Sequence, residues 1–505
     1  MITATAVLDR QFTVGTVPEH LFGALVEHMG RCVYGGIYEP GHPEAGVEGR
    51  RLDVLKLTRE LGVSLVRYPG GNFVSGYQWE DGVGPVEERP TRLDLAWHSV
   101  EPNTFGLNEF MGWARDAGVE PMMAVNLGTR GIAEACAVLE YANYPGGTRW
   151  SDLRRAHGVA APHDIRLWCL GNEMDGSWQV GHKTARDYGL LAGETAKAMR
   201  ALDPRVELVV CGSSNTDMPS FGAWEAEVLD HTYDHVDHLS LHAYFAHHPG
   251  DRAGFLASAA AMDTFIDAVT ATADHVGARK RSRRKLTLSF DEWNLWYDHR
   301  PSTMTGTTTE WVTGPRLIED EYTVEDAVVL GSLLMSLLRH SDRVAIACLA
   351  QLVNVIAPIR AEPDATAWRQ TIFHPFALTA RHARGDVLRV EARSPVVDGG
   401  AAGDVPAVDV VATCDPSTGD LTVLAVNRHP TEAAALNATL HAPRGYVLAE
   451  HLTLGGGHPR AANTAAFPER VHPVAATGSR LDGDLLTAVL PPVSWHLLRL
   501  TRTGA

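Results

Sequence analysis

Short apolar runs alternate with stretches of helical spacing along the first three quarters of the chain. The strand-like runs are Leu21–His28, Val63–Arg67, Pro121–Asn126, a central run from Arg166 to Glu173, Val206–Cys211, His238–Phe245, Leu286–Glu292 and Val344–Gln351. Most are too continuously apolar for a half-exposed strand, which suits strands of a parallel sheet covered on both faces. His238–Phe245 differs: Leu239, Leu241, Ala243 and Phe245 alternate with His238, Ser240, His242 and Tyr244, so one face is apolar and one polar. Between these runs, Arg51–Leu61, Leu107–Ala117, Thr184–Leu202 and Phe255–Val276 have helical spacing, and Thr323-x-x-Asp326 resembles a capping box opening a helix to about Arg339. Eight strand-then-helix units predict a (β/α)8 barrel. A doubly wound sheet is the runner-up, but no Gly-x-Gly-x-x-Gly follows any run. A long polar loop is expected from about Arg300 to Arg316.

After about Phe376 the helical period stops. Short runs such as Val387–Glu391, Val408–Thr413, Leu421–Val426, Ala434–Leu440, Leu486–Val489 and Trp495–Leu500 are separated by turn clusters, the texture of a β-sandwich. Residues 2–14 precede the first barrel strand and need an edge to pair with. The expected division is therefore an N-terminal strand (1–17) joining the sandwich, a barrel (18–375) and a C-terminal β-sandwich (376–505).

Barrel enzymes place their chemistry at the C-terminal ends of strands. Those ends carry Glu27, Arg67, Asn72, Asn126, Asn172, Glu173, His242, Tyr244, Glu292 and Gln351, with Trp97, Trp293 and Trp296 nearby. A carboxylate where a strand leaves the core is costly without a partner or a task. Glu173 and Glu292 end the fourth and seventh runs, each beside Asn or Trp. Two such carboxyl groups with amides, a tyrosine and tryptophans suggest acid–base and nucleophilic work on a sugar. Trp293 reads as a packing residue.

The net charge of −17 disfavours nucleic-acid and anionic-membrane partners. No run long enough to span a bilayer and no secretory signal is visible. The six cysteines are scattered, without Cys-x-x-Cys, which suits reduced thiols in a cytoplasmic protein. Two rival readings stand beside the carboxylate pair. One is a metal-dependent barrel hydrolase using His231, His235, His238 and His242; the other is a non-catalytic carbohydrate-binding protein, which predicts a missing carboxylate.

Five motifs, Glu27-His-Met-Gly-Arg-Cys-Val-Tyr-Gly-Gly-Ile-Tyr-Glu-Pro-Gly, Arg67-Tyr-Pro-Gly-Gly-Asn72-Phe, Leu170-Gly-Asn-Glu173-Met-Asp-Gly, Asp291-Glu292-Trp-Asn and Ala350-Gln351-Leu-Val-Asn, resemble the α-L-arabinofuranosidases of glycoside hydrolase family 51 in sequence and order. The resemblance covers nearly the whole chain. It implies retaining hydrolysis of arabinose-containing oligosaccharides, with Glu173 as acid/base and Glu292 as nucleophile. It implies arabinose contacts from Glu27, Asn72, Asn172, Tyr244 and Gln351, and outer-sugar contacts from Trp97 and Trp296. Arg67, Asn126 and His242 join the candidate binding residues from their strand-end positions. The chemistry needs no metal or organic cofactor, and the resemblance further implies a cytoplasmic homo-hexamer. Cys32 departs from the small residue expected after the Glu27 motif.

Overall fold

The computed structural model describes residues 1–297, 310–441 and 445–502 of the 505. Most of the polar loop expected between Arg300 and Arg316 lies outside the described residues.

The chain opens with β1 (Ile2–Thr16) and enters the barrel at β2 (His20–Leu25). Helix α1 (Leu52–Leu61) leads to β3 (Leu65–Tyr68), after which a hairpin of β4 (Arg92–Asp94) and β5 (Ser99–Glu101) interrupts the series. Then come α2 (Leu107–Ala117), β6 (Glu120–Val125), α3 (Ile132–Asn143), α4 (Arg149–Ala156), β7 (Leu167–Leu170), α5 (Ala185–Leu202) and β8 (Glu207–Val210). The series closes with α6 (Ala223–Thr232), β9 (His238–Phe245), α7 (Arg252–Leu256), α8 (Ser258–Arg279), β10 (Thr287–Leu295), α9 (Val324–Arg339) and β11 (Val344–Ala350). The eight parallel strands β2, β3, β6, β7, β8, β9, β10 and β11 form a closed barrel in sequence order.

The side chains of these strands sort by alternate positions. Leu65, Met122, Ala124, Leu167, Cys169, Val209, Ile346 and Cys348 form one buried cluster inside the barrel. Their neighbours Val66, Met123, Val125, Trp168, Leu170, Val210 and Leu349 belong to the larger cluster shared with the helices. Burial on both faces explains why these strands read as continuous apolar runs. At α9 the Asp326 carboxylate accepts the Thr323 backbone N–H (2.6 Å) and hydroxyl (2.8 Å), closing the cap read from the sequence.

The C-terminal region is a ten-stranded sheet in the order Val474–Ala475, Tyr446–Gly455, Ser494–Arg502, Leu421–Asn427, Val408–Cys414, Asp386–Arg393, β1, Ala434–His441, Leu485–Leu490 and Arg480–Asp482. β1 pairs antiparallel with Asp386–Arg393 and parallel with Ala434–His441. The sheet encloses its own core, including Ala6, Leu8, Val410, Val423, Leu436 and Leu498. Its opposite face, with Val411, Leu424, Trp495 and Leu497, merges with the barrel cluster. Arg339 of α9 ties the two regions together, donating to Asp263 on α8 (2.7 Å) and to Asp409 in the sheet (2.6 Å).

Gly331 of α9 sits where this junction is tightest. A Cβ there would lie 2.3 Å from Cδ1 of the fully buried Trp495. Alanine in place of a helical glycine returns about 1 kcal/mol of propensity, whereas overpacking costs about 1–3 kcal/mol. Gly331→Ala should therefore melt below the wild type in a thermal scan; a raised melting temperature would contradict this account of the junction.

Candidate active site

The site forms where β2, β3, β7, β9, β10 and β11 end. β9 directs Ser240, His242 and Tyr244 inward, whereas Leu239, Leu241 and Ala243 belong to the cluster between barrel and helices. β10 does something a regular strand cannot. Consecutive residues of a strand face opposite sides, yet both Asp291 and Glu292 contact the buried Arg67. The pairing shows how. Three steps along β10, from Ser289 to Glu292, match two along β9, from Ser240 to His242, and the same slip recurs against β11 between Phe290 and Trp293. This β-bulge keeps Phe290 and Trp293 on the helix-facing side while turning two adjacent carboxylates inward.

Arg67, at the end of β3, has 1% of its surface exposed and turns its guanidinium toward three site residues. Nη1 donates to Glu292 Oε1 (2.8 Å), Nη2 donates to Asn172 Oδ1 (2.7 Å), and Nε lies 3.3 Å from Asp291 Oδ2. The other Glu292 oxygen, Oε2, accepts the Tyr244 hydroxyl at 2.9 Å. Asn172 Nδ2 donates to Asn72 Oδ1 at 3.4 Å.

Glu173 follows Gly171 and Asn172 beyond β7 and adopts a left-handed backbone with φ of 44°. Its Oε1 is 2.9 Å from His242 Nδ1, and its Oε2 accepts Trp178 Nε1–H at 2.7 Å. Oxygens of Glu173 and Glu292 lie within 4.8 Å of each other and of the His242 ring nitrogen. Burial raises the pKa of Glu173; the His242 hydrogen bond opposes that rise, and the Glu292 charge adds to it.

The opposite wall is Glu27, beyond β2. Its Oε1 accepts the Phe73 backbone N–H (3.0 Å) and Trp97 Nε1–H (2.8 Å), and its Oε2 accepts Gln351 Nε2–H (3.2 Å). Trp97 reaches in from the β4–β5 hairpin, where Asp94 accepts its backbone N–H (3.1 Å). Gly71 lies between the walls. A Cβ there would stand 2.8 Å from Glu292 Oε1 and 3.1 Å from Glu27 Oε2, so a side chain would fill the cavity. Burial, aided by the Glu292 charge, overrides the Phe73 and Trp97 donors and pushes Glu27 up to about 8. Trp296 meets the Tyr244 ring edge-on at 5.3 Å, and Trp293 is buried in the core. Cys32 is also buried, which pushes its thiol up to about 12 and keeps it neutral.

The structure thus joins Arg67, Asn72, Asn172, Glu173, His242, Tyr244 and Glu292 in one network and Glu27, Trp97 and Gln351 in a second, facing it across Gly71. Asn126 is occupied elsewhere. Its Nδ2 donates to Tyr77 O (2.9 Å) and Thr129 Oγ1 (2.8 Å), and its Oδ1 accepts the Gly128 and Thr129 N–H groups, so it braces the loop after β6. Trp178 and Asp291 escaped the sequence reading as site residues, although Asp291 stood inside a quoted motif. The four histidines of the metal reading do not converge. His231 lies on α6, His238 bonds Thr287 Oγ1 at the opposite end of β9, and only His242 reaches the carboxylates. Among the described residues, Glu173, His242 and Glu292 are the one group spaced to hold a metal ion. A divalent ion there would meet the Arg67 guanidinium already seated on Glu292, which opposes it.

A closed barrel with two facing carboxyl groups at the ends of its fourth and seventh strands has the layout of a glycoside hydrolase. The comparisons narrow this. Residues 57–252 match the model described as the alpha-L-arabinofuranosidase 1 domain, and 291–494 match the alpha-L-arabinofuranosidase C-terminal domain. An intracellular exo-α-(1→5)-L-arabinofuranosidase of Streptomyces lividans is 56% identical over 99% of this chain and 75% of its own length. An exo-α-(1→6)-L-arabinofuranosidase of Bifidobacterium longum is 51% identical over 97% of this chain and 95% of its own. A solved family 51 α-L-arabinofuranosidase from Bifidobacterium longum superposes with a TM-score of 0.94 at 46% identity, covering 99% of both chains. The Thermotoga maritima enzyme, solved as an arabinose complex, gives 0.87 at 31% identity, covering 99% of this chain and 100% of its own. The chain belongs to the α-L-arabinofuranosidases of glycoside hydrolase family 51.

The Glu27 environment has a measurable consequence. A carboxyl whose folded pKa is raised contributes stability fully present below its unfolded value near 4.5 and lost as pH rises toward about 8. Glu27→Gln cannot ionise, so denaturant unfolding should show it gaining on the wild type between pH 5 and pH 8. A stability difference that is flat, or that moves the other way, would show that Glu27 is not held neutral.

Proposed function

We propose that the protein is a retaining exo-α-L-arabinofuranosidase in which Glu292 is the nucleophile and Glu173 the acid/base, releasing terminal arabinofuranosyl residues from arabino-oligosaccharides and from arabinan or arabinoxylan fragments. The observation that carries this reading is that an oxygen of Glu173 and an oxygen of Glu292 lie within 4.8 Å of each other, on either side of the same His242 nitrogen. Retaining enzymes hold the pair roughly 5 Å apart, and inverting ones leave about 6.5 Å or more for a water.

The two environments suit opposite tasks. Glu292 takes donors on both oxygens, from Arg67 and Tyr244, which steadies an attacking anion and aims it. Glu173 holds its proton through burial and the neighbouring Glu292 charge. Glu292 attacks the anomeric carbon as Glu173 protonates the departing oxygen. Esterification removes the Glu292 charge, so Glu173 becomes more acidic and then serves as base toward the incoming water. Asn172, Asn72, Glu27 and Gln351 supply amide and carboxyl groups for the sugar hydroxyls. Trp97 and Trp296 stand at its edge as surfaces for the next sugar. Asn126, committed to its loop, takes no part.

Relatives named for exo-(1→5) and exo-(1→6) linkages share the order of 50% identity with this chain. The arabinofuranosyl unit is therefore the common element, and linkage is read outside the pocket described. The intracellular naming of the Streptomyces relative supports a cytoplasmic location. We read residues 18–375 as the catalytic unit and 1–17 with 376–505 as the β-sandwich, supported by the pairing of β1. Assembly as a homo-hexamer belongs to the same reading and is open to sedimentation.

Glu173→Ala with dinitrophenyl arabinofuranoside should give an initial burst and then slow turnover, because departure needs little protonation but water lacks its base. Added azide should speed turnover and yield the azide of the substrate's own anomer. For sugar leaving groups the variant should be nearly inactive. Equal losses on both leaving groups, with no azide effect, would remove Glu173 from the reaction; an inverted azide would remove the covalent step at Glu292.

A further inference from the structure

Asp291 lies beneath the carboxylate pair, fully buried, and has no place in the mechanism above. Its Oδ1 accepts the Ser240 hydroxyl at 2.5 Å and lies 3.4 Å from His242 Nε2. Its Oδ2 takes the Cys169 thiol at 3.5 Å and lies 3.3 Å from Arg67 Nε. His242 therefore stands between carboxylates: Asp291 on the Nε2 side, and on the Nδ1 side Glu173 at 2.9 Å and Glu292 Oε2 at 3.5 Å. With Glu173 protonated, the ionised neighbours are Asp291 on the Nε2 side and Glu292 on the Nδ1 side, and a proton on each ring nitrogen places positive charge against both.

We propose that Asp291 is a positioning residue, the fixed counter-charge that keeps His242 an imidazolium, so that one catalytic carboxylate at a time completes the charge balance of the cavity. The proposal rests on the roles assigned to Glu173 and Glu292. The cavity then holds two cations, Arg67 and His242, and one permanent anion, Asp291. Before sugar transfer the second anion is Glu292, with Glu173 protonated. Glu292 forms the bond to the anomeric carbon, the glycosidic bond breaks, and the Glu173 proton leaves on the departing oxygen. The second anion is now Glu173. Water then gives a proton to Glu173 and its oxygen to the anomeric carbon, and Glu292 is released as the anion. Total charge is constant throughout, so neither step creates an unbalanced charge in a buried site.

The other titratable groups facing this network leave the balance intact. From β7 and the end of β8, Cys169 and Cys211 are buried thiols, the second pushed up to about 12. From β9 itself, burial raises Tyr244 well above the ordinary phenol range. Glu27, held up to about 8, is neutral at neutral pH. Burial depresses His242, but the Glu292 charge, the Asp291 carboxylate beside Nε2 and the contact with Glu173 outweigh it and raise the ring to about 10. Burial likewise works against the Asp291 charge, and Arg67 and His242 overcome it, holding Asp291 near 2.

The direct test is 15N NMR of histidine-labelled protein at pH 8, with the His242 signals assigned by their loss in His242→Gln. Imidazolium shifts at both ring nitrogens are expected in the wild type; a neutral ring would overturn the proposal without any variant having to fold. In Asp291→Asn the ring should be neutral at the same pH, and a persisting imidazolium would show that another group supplies the counter-charge. Loss of the imidazolium leaves Glu173 without its nearest cation. The alkaline limb of kcat/KM should move up by about one pH unit or more in Asp291→Asn. His242→Gln should move it similarly, and the double variant no further. A limb that stays in place while activity falls, or effects that add, would reduce Asp291 to a packing role. Failure of azide rescue would strike the catalytic roles alone, since the ring's charge is read independently of turnover.

Discussion

One buried guanidinium fixes the geometry on which the site depends. Arg67 cannot shed its charge, and burying it without partners would cost several kcal/mol. Three residues on two other elements surround it: Glu292 and Asn172 accept its Nη1 and Nη2 hydrogen bonds, and the Asp291 carboxylate, beside Glu292 on β10, lies 3.3 Å from Nε. Each partner therefore has to arrive in register at the same end of the barrel, and closure of the eight strands delivers them there. The nucleophile is thus oriented by the same contact that makes the buried cation tolerable. A lysine would carry the charge but could not address three acceptors in one plane.

Around that fork, similar side chains are given different characters by position alone. Asp291 faces two cations and stays ionised near 2, whereas Glu27 has neutral donors only, and burial with the Glu292 charge pushes it up to about 8. Asp94, which accepts the backbone N–H groups of Ala96 and Trp97, is raised by burial to about 6 despite them. The bulge in β10 is the local device that makes this possible. Without it Glu292 would point toward the helices and Trp293 into the cavity.

Much of this was legible in the residues, for identifiable reasons. Strands covered on both faces write themselves as apolar runs, so all eight barrel strands and their order could be read, and Glu173 and Glu292 stood out as charges where such runs end. The alternation in His238–Phe245 told which side of β9 faces inward. What failed to register was short or relational. The β4–β5 hairpin that carries Trp97 has strands of three residues, too few to show alternation. A one-residue bulge leaves no mark in composition, so Asp291, though inside a quoted motif, was given no role beside Glu292. Trp178 sits on an exposed loop, where nothing in its neighbours foretells the bond to Glu173. Asn126 has the right chemistry at the right strand end, but side-chain direction decides its use, and its four bonds go to its own loop and Tyr77.

Two carboxyl groups with oxygens within 4.8 Å of each other act in succession through a covalent sugar. The stereochemistry of the first product reports on this directly. Proton NMR of the arabinose released from an α-L-arabinofuranoside, followed before mutarotation, should show the α anomer appearing first. First appearance of the β anomer would mean a single displacement by water, and the account of Glu292 as nucleophile would have to be given up.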